Sequence, residues 1–183
     1  MTWGFLRGIY LSDVFLTKAG YLLDSQPLRN YVYPMSEKSH PSRNTLRAHR
    51  QVFWDAWQKA QADLPLDAME VRIARVIQMH PEYHHLFHDM EAFLDRDFHI
   101  DDGMNPYLHL SLHLAIEEQL ATKQPIEAAQ IMEREVVERK HDRHDAIHLI
   151  LEVLAETIYE AQRRGQDIDP LAYAAKLKVL LQT

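Results

Sequence analysis

The chain has 183 residues, a formal net charge of −7 and no cysteine. This length suffices for one domain with a hydrophobic core, or for one domain with an extension. The acidic charge argues against nucleic acid as a partner, and the lack of cysteine excludes disulfides, thiol nucleophiles and iron–sulfur clusters. The 12 histidines are the unusual feature of the composition. A metal site in this chain must therefore use histidine, aspartate or glutamate ligands.

Residues 1–34 differ in character from the rest of the chain. Their apolar residues follow a short amphipathic pattern, which Arg7, Asp13 and Lys18 interrupt. The segment is too short and too charged for a membrane span, and it lacks the basic start and uninterrupted apolar centre of a signal peptide. Together with the polar stretch from Met35, it predicts an N-terminal extension and linker over residues 1–41. A helix packed on the following domain is the alternative.

Residues 42–183 have the periodicity of an all-α domain, and no stretch alternates with the period of a strand. The predicted helices run from Ser42 or Asn44 to about Asp63, from after Pro65 to Met79, over residues 82–90, from Pro106 to about Thr122, over residues 125–140, from Asp142 to Arg164, and from Pro170 to Leu181. Gly165 is expected to end the sixth helix. Residues 125–140 are rich in glutamate and arginine, which predicts an outer helix facing solvent. We expect a compact helical bundle with four or more main helices.

Two predicted helices carry the same pattern of histidine and glutamate. Each places two histidines and a glutamate at intervals of four residues: His109, His113 and Glu117 in one, and His144, His148 and Glu152 in the other. Residues four apart lie on nearly the same face of a helix, so two such histidines can bind one ion. The glutamate lies roughly 12 Å along the helix from the first histidine, so we expect it to reach a second ion or a bridging position.

The residues around this pattern favour a buried metal site over a solvated polar stripe. The first pattern is flanked almost entirely by apolar residues: Leu108, Leu110, Leu112, Leu114 and Ile116. A helix that is apolar on all sides is usually buried, and buried imidazoles and carboxylates need partners. The second helix is similarly apolar. The sequence therefore predicts inward-facing ligands from both helices around a shared metal site.

A third histidine cluster, HPEYHHLFH, begins at His80. His80, His84 and His88 share the four-residue spacing, but Pro81 disfavours helical geometry near the first of them. We therefore select His84 as a further ligand. His85 and His88 are predicted to lie at the surface or next to the ligands, and His141 to contact a ligand or to cap its helix. Three others are predicted to lie at the surface: His40, His49 and His99.

Three runs, HPEYH, NPYLHLSLHLAIEEQ and HDAIHLILEVLAETIYEAQR, resemble a bacterial family known as the domain of unknown function family 1841. The resemblance extends from about Ser42 to the C-terminus. Members of the family usually begin near the SRN stretch, so residues 1–34 look like an addition. The resemblance implies a small, cytoplasmic, helical protein without an established activity. It supports the five histidines chosen above, His84, His109, His113, His144 and His148, without explaining their chemistry.

The leading interpretation is a metalloprotein with a mononuclear or dinuclear histidine and carboxylate site, somewhat like the hemerythrin-like oxygen-binding bundles. Iron or zinc is the expected divalent ion, and no organic cofactor is predicted. Iron would suit oxygen binding or oxidation, whereas zinc-activated water would suit hydrolysis of a small molecule whose identity is open. We expect neither a membrane nor a nucleic acid as a partner, and a homodimer is compatible with the size of the domain.

Two further classes of function remain open. Adjacent His-Asp pairs are the signature of metal-dependent phosphohydrolases of the His-Asp type, and this chain has three: His88-Asp89, His141-Asp142 and His144-Asp145. No cluster of phosphate-binding lysine or arginine stands out near them. The other class is a non-catalytic helical interaction module whose histidines line a core or an interface. Whether the protein is an enzyme is therefore undecided at this point.

Deleting residues 1–34 should leave a folded domain, because the helical pattern starts after this segment and the intervening stretch is polar. Circular dichroism and gel filtration of the truncated protein test this. Loss of helical signal or aggregation would show that Phe5, Leu6 and Ile9 belong to the core of the domain.

Overall fold

A computed structural model describes residues 43–96 and 105–182. The α-helices in these residues are α1 (Arg43–Gln61), α2 (Ala68–Gln78), α3 (Met90–Asp95), α4 (Pro106–Thr122), α5 (Ile126–Met132), α6 (Arg143–Arg163) and α7 (Pro170–Leu181). A 3₁₀ segment spans Pro81–His88, and a π segment spans Glu133–Glu138. This described part of the chain contains no strand, which confirms the all-α prediction. None of its helices has both the length and the apolar character needed to cross a membrane.

Helix boundaries follow from local capping chemistry. Asn105 caps α4 by accepting from the backbone N–H of Tyr107 at 3.0 Å. Asp142 and Asp169 cap α6 and α7 in the same way, with donor–acceptor distances of 2.7 Å and 2.9 Å. Gly165 follows the C-cap of α6 with a φ of 62°, which glycine adopts without steric cost. These predicted boundaries are confirmed, whereas the side chains of Ser42 and Asn44 lie outside the described residues.

The chain divides into two compact units, with the division between Ser111 and Leu112 inside the continuous helix α4. The first unit has an aromatic core. The Phe93 ring lies 4.4 Å from Phe87 and 5.3 Å from Trp54, measured between centroids. Tyr107 packs edge-on against Phe93 at 4.8 Å, and its hydroxyl donates to the Phe93 carbonyl. These contacts fix the first turn of α4, which carries His109.

The second unit is built around the buried face of α6. Ile147 and Ile150 are fully buried there. Tyr173 of α7 is also fully buried, and its hydroxyl donates to Oε1 of Gln119 at 2.9 Å. Burial raises the pKa of this phenol, so Tyr173 stays a neutral donor. The hydrogen bond joins the last turns of α4 to α7.

Two predicted helices differ from the structure. Residues 82–90 were expected to form one short helix, but Asp89 separates the 3₁₀ segment from α3 and caps α3 by accepting from Ala92 N–H at 3.1 Å. The prediction of a solvent-facing helix over residues 125–140 is correct only in part, because one face with Ile126, Glu133 and Val137 is exposed whereas two glutamates are buried. Glu127 and Glu135 are 6% and 1% exposed, and the α-helix gives way to the π segment at Glu133.

Glu135 is a buried carboxylate held by three cationic or hydrogen-bonding neighbours. Arg134 and Arg139 approach its Oε1 at 2.6 Å and 3.2 Å, and Nδ1 of His141 lies 2.8 Å from its Oε2. Burial alone would raise the pKa of Glu135, but the hydrogen bonds from Arg134 and His141 outweigh burial and lower it. The pairing explains how a charged side chain is tolerated inside a segment that composition assigns to the surface.

Glu135→Gln should lower the free energy of unfolding by about 2–3 kcal/mol, because it leaves the largely inaccessible Arg134 without its counter-charge. The folded-state pKa is depressed, so this stabilisation is present above the unfolded pKa of about 4.3 and is lost as pH falls through the folded pKa. Urea unfolding at neutral and acidic pH measures both effects.

Glu160→Gln is the matched control for this substitution, because Glu160 is also paired, with Lys176 at 2.8 Å, but is 36% exposed. It should cost no more than about 1 kcal/mol. Equal losses for the two variants would contradict a special role for the buried carboxylate.

Candidate metal centre

Helix α4 buries side chains on every face. Leu110, Leu112 and Ile116 are at most 1% exposed. The histidines between them share this burial, since His109 is 6% exposed and His113 is fully buried. Because imidazoles in such surroundings need hydrogen-bond or metal partners, the geometry around these two rings decides what the site can do.

In the first unit, His109 meets His80, the residue that precedes the 3₁₀ segment. Their Nε2 atoms are 3.0 Å apart, and His80 is fully buried. Nδ1 of His80 lies 2.7 Å from the Val76 carbonyl oxygen. A carbonyl only accepts, so Nδ1 of His80 carries the proton and Nε2 of the neutral ring presents its lone pair toward His109. Tyr83 stacks on the His80 ring with a centroid distance of 5.7 Å and helps to fix its orientation.

In the second unit, His113 meets His148 of α6. Their Nε2 atoms are 2.9 Å apart. His144, one turn earlier on α6, packs its ring against both, with centroid distances of 5.0 Å to His113 and 4.4 Å to His148. The expected proximity of His113 to His144 and His148 is therefore confirmed.

Four histidines are grouped closely enough to hold one metal ion. One nitrogen from each of His80, His109, His113 and His148 lies within 4.8 Å of the other three. Two nitrogens that bind one zinc ion tetrahedrally, at about 2.0–2.1 Å each, are roughly 3.4 Å apart. The paired nitrogens at 3.0 Å and 2.9 Å are within a few tenths of an ångström of that spacing. We call these residues the four-histidine group.

Other predicted ligands lie outside the four-histidine group. Nε2 of His84 donates to the Ile77 carbonyl at 2.9 Å, and its ring packs on Trp57 at 4.6 Å. Glu117 accepts from Arg143 at 3.0 Å. His144 contacts the group through its ring without contributing a ligand atom to it. Their roles as direct ligands remain predictions.

Glu152 is exposed, so the expectation that it faces inward is wrong. The reason lies in helix geometry. A spacing of four residues advances about 400° around the axis, so each member lies about 40° further round than the last. Glu152 is two such steps from His144, so it lies about 80° further round α6. This rotation is enough to expose it to solvent.

The sequence interpretation missed His80 and chose His84 from the same cluster. The sequence favours His84 because Pro81 breaks the helix near His80. In the structure, this break turns the His80 ring back to the carbonyl of Val76, four residues earlier. The signal in the sequence is a histidine that directly follows an apolar helix and precedes a proline. The direction of its side chain, however, depends on the turn that follows.

The His-Asp pairs have structural roles at helix ends. Asp89 and Asp142 each accept a backbone N–H as N-caps, of α3 and α6 respectively. Asp145 is an exposed acid in the first turn of α6, a position that the helix dipole favours. None of the three belongs to the four-histidine group. The phosphohydrolase alternative therefore gains no support from the described residues.

Comparison with known proteins gives a family without a known activity. No curated protein and no solved structure matches the chain. The family model described as "Domain of unknown function (DUF1841)" matches residues 45–179. This match covers most of the chain and leaves the predicted extension outside it. The chain therefore belongs to the DUF1841 family of domains of unknown function.

Proposed function

We propose that this protein binds one divalent transition-metal ion, zinc or iron, through His80, His109, His113 and His148. The observation that carries the proposal is the four-histidine group, with its ligand nitrogens within 4.8 Å of one another. Neutral imidazole is a good ligand for zinc, iron, copper and nickel. Among the buried side chains of α4, His109 and His113 are the strong ligands for such an ion, whereas Ser111 and Gln119 are weak ones.

The hydrogen bond of His80 to Val76 supports metal binding in particular. Ligand histidines commonly donate their second ring N–H to a backbone carbonyl, which fixes the tautomer and makes the free nitrogen a better donor. Nδ1 of His80 makes this bond at 2.7 Å, and its Nε2 belongs to the pair with His109. The bond therefore leaves Nε2 of His80 unprotonated, which is the form of the ring that binds a metal ion.

The surroundings of the carboxylates favour one ion over two. A dinuclear site needs bridging oxygens, and Glu117 and Glu152 were the sequence candidates. Glu152 is exposed, and Glu117 is engaged by Arg143. We therefore assign Glu117, one helical turn beyond His113, no role as a ligand, because its charge is already paired with Arg143.

The identity of the ion determines the activity that follows. Four histidines complete the tetrahedral coordination of zinc and leave no open position, so zinc would stabilise the fold. Iron accepts further ligands, so the same four residues would leave positions open to a small molecule such as oxygen. Elemental analysis of untagged protein distinguishes these two functions.

Purified untagged protein should contain about one equivalent of metal per chain, because four ligands in a buried site retain an ion through dialysis. His148→Ala and His80→Ala should each lower the occupancy by at least about tenfold, in line with removal of a direct ligand. Elemental analysis by mass spectrometry measures the occupancy.

His85→Ala is the matched control, since His85 is exposed and its Nδ1 bonds only to the Glu82 carbonyl in the same turn. It should leave the metal content unchanged. Trace metal that dialysis removes from the wild type would instead support the non-catalytic interaction module.

Chelation should lower the melting temperature of the wild type. An ion that binds only the folded state adds RT ln(1 + [L]/Kd) to the free energy of unfolding, where [L] is the concentration of free ion. This amounts to about 4 kcal/mol when [L] is 1,000 times Kd. Adding one equivalent of zinc or iron should restore the melting temperature. The melting temperature of His113→Asn, measured by differential scanning calorimetry, should not respond to chelator. Asparagine is chosen because it keeps a polar side chain at that position. A wild-type melting curve that is insensitive to chelator would contradict the proposal.

A further inference from the structure

A cavity lies beside the π segment. None of its lining residues belongs to the four-histidine group. Its volume is about 470 Å³, and its lining includes Arg134, Glu135, Arg139 and His141. Pockets that bind small molecules typically measure 300–1,000 Å³, and π segments occur frequently at functional sites. We call this space the π-segment cavity.

The floor of the cavity is a preorganised, positively charged cluster. The guanidinium of Arg134 is fixed at two ends, by the Glu135 carboxylate at 2.6 Å and by the Leu180 carbonyl at 3.0 Å. Arg139 adds a second guanidinium at 3.2 Å from the same carboxylate, and it remains 44% exposed. Two guanidinium groups against one carboxylate leave a net positive charge, which suits an anionic group of a ligand.

The π geometry brings the cationic side chains to the cavity. The Arg139 N–H donates to the Arg134 carbonyl, five residues back, at 2.9 Å. The His141 N–H donates to the Glu135 carbonyl at the same distance, and its ring, 56% exposed, bonds to the Glu135 side chain through Nδ1. A regular α-helix would carry these residues further round the axis, so the widened turn determines the composition of the floor.

The rest of the lining has different chemistry. Asp142 and Asp145 also line the cavity, and we call these two residues its acidic rim. Asp142 is engaged as the N-cap of α6, whereas Asp145 is exposed in the first turn and is available to a cation. Ala146, Leu149 and Leu180 add apolar side chains to the lining.

We propose that the π-segment cavity binds a small zwitterion of the α-amino-acid class with an apolar side chain. In this arrangement, Arg139 receives the carboxylate, Asp145 receives the ammonium group, and the apolar side chain packs on Leu149 and Leu180. The carboxylate on arginine gives a bidentate, charge-assisted contact. A simple anion would leave the acidic rim without a partner, and a simple cation would meet the positive floor.

Stability alone accounts for Glu135 but not for the rest of the lining. The Arg134 and His141 contacts already satisfy the buried carboxylate. Arg139 and Asp145 bring opposite charges to the lining of a cavity of ligand size, which also contains apolar residues. This combination of both signs and an apolar surface is what a small zwitterion requires.

Isothermal titration of the full chain with L-leucine, L-methionine and L-phenylalanine tests the proposal. At least one should bind saturably with a Kd below about 1 mM. For leucine, two analogues remove one charge each: 4-methylpentanoate lacks the amine and 3-methylbutylamine lacks the carboxylate. Each should bind at least about tenfold more weakly than leucine or not at all. Failure of all three amino acids to saturate below about 10 mM would overturn the proposal.

Variants locate the binding in the cavity. Arg139→Gln and Asp145→Asn should each weaken amino-acid binding at least about tenfold. Arg164→Gln is the matched control for the first, because Arg164 forms the same i,i+4 pair, with Glu160, on an exposed surface. Glu152→Gln is the control for the second, since Glu152 is exposed on the same helix as Asp145. Unchanged binding in Arg139→Gln would overturn the proposal, and no outcome depends on the metal site.

Discussion

The structure depends on the burial of two imidazoles in a helix that is apolar on every face. Helix α4 has no solvent side for His109 and His113, so their polar nitrogens must be satisfied from neighbouring segments. His80 and His148 meet this requirement, with Nε2 separations of 3.0 Å and 2.9 Å. The aromatic packing at the first turn of α4 and the Gln119–Tyr173 hydrogen bond at its last turns hold the helix at both ends. The histidine pairs are therefore part of the core as well as the candidate site.

Much of the fold could be predicted from the sequence because its signals are local. Asn105, Asp142, Asp169 and Gly165 mark helix ends through their own backbone preferences and hydrogen bonds, and each lies where it was expected. Helical periodicity identified His109 and His113 as residues of one buried face of α4, and His148 as an inward-facing residue of α6. These inferences need only the geometry of a single helix.

The errors arise where a residue's environment is set by a distant segment or by a departure from regular geometry. His80 was rejected because it stands outside a helix, and its direction depends on the turn at Pro81. Glu152 was accepted because four-residue spacing was treated as one face, although it drifts by about 40° at each step. Glu135 was placed in solvent because composition does not reveal that a π segment gathers Arg134, Arg139 and His141 around it.

The tautomer of His80 links the metal-free fold to the proposed metal-bound state. Its Nδ1 proton is committed to Val76, so in a neutral pair the shared proton must sit on Nε2 of His109 and point to His80. One N–H···N hydrogen bond then satisfies both Nε2 atoms, and the core is compatible with a folded metal-free protein. For Nε2 of His109 to bind an ion, its proton must leave that atom, while His80 needs no rearrangement. The first unit thus contributes His80, which is already in the tautomer that binds an ion, and His109, whose tautomer must change. An ion would therefore bind without any rearrangement of His80.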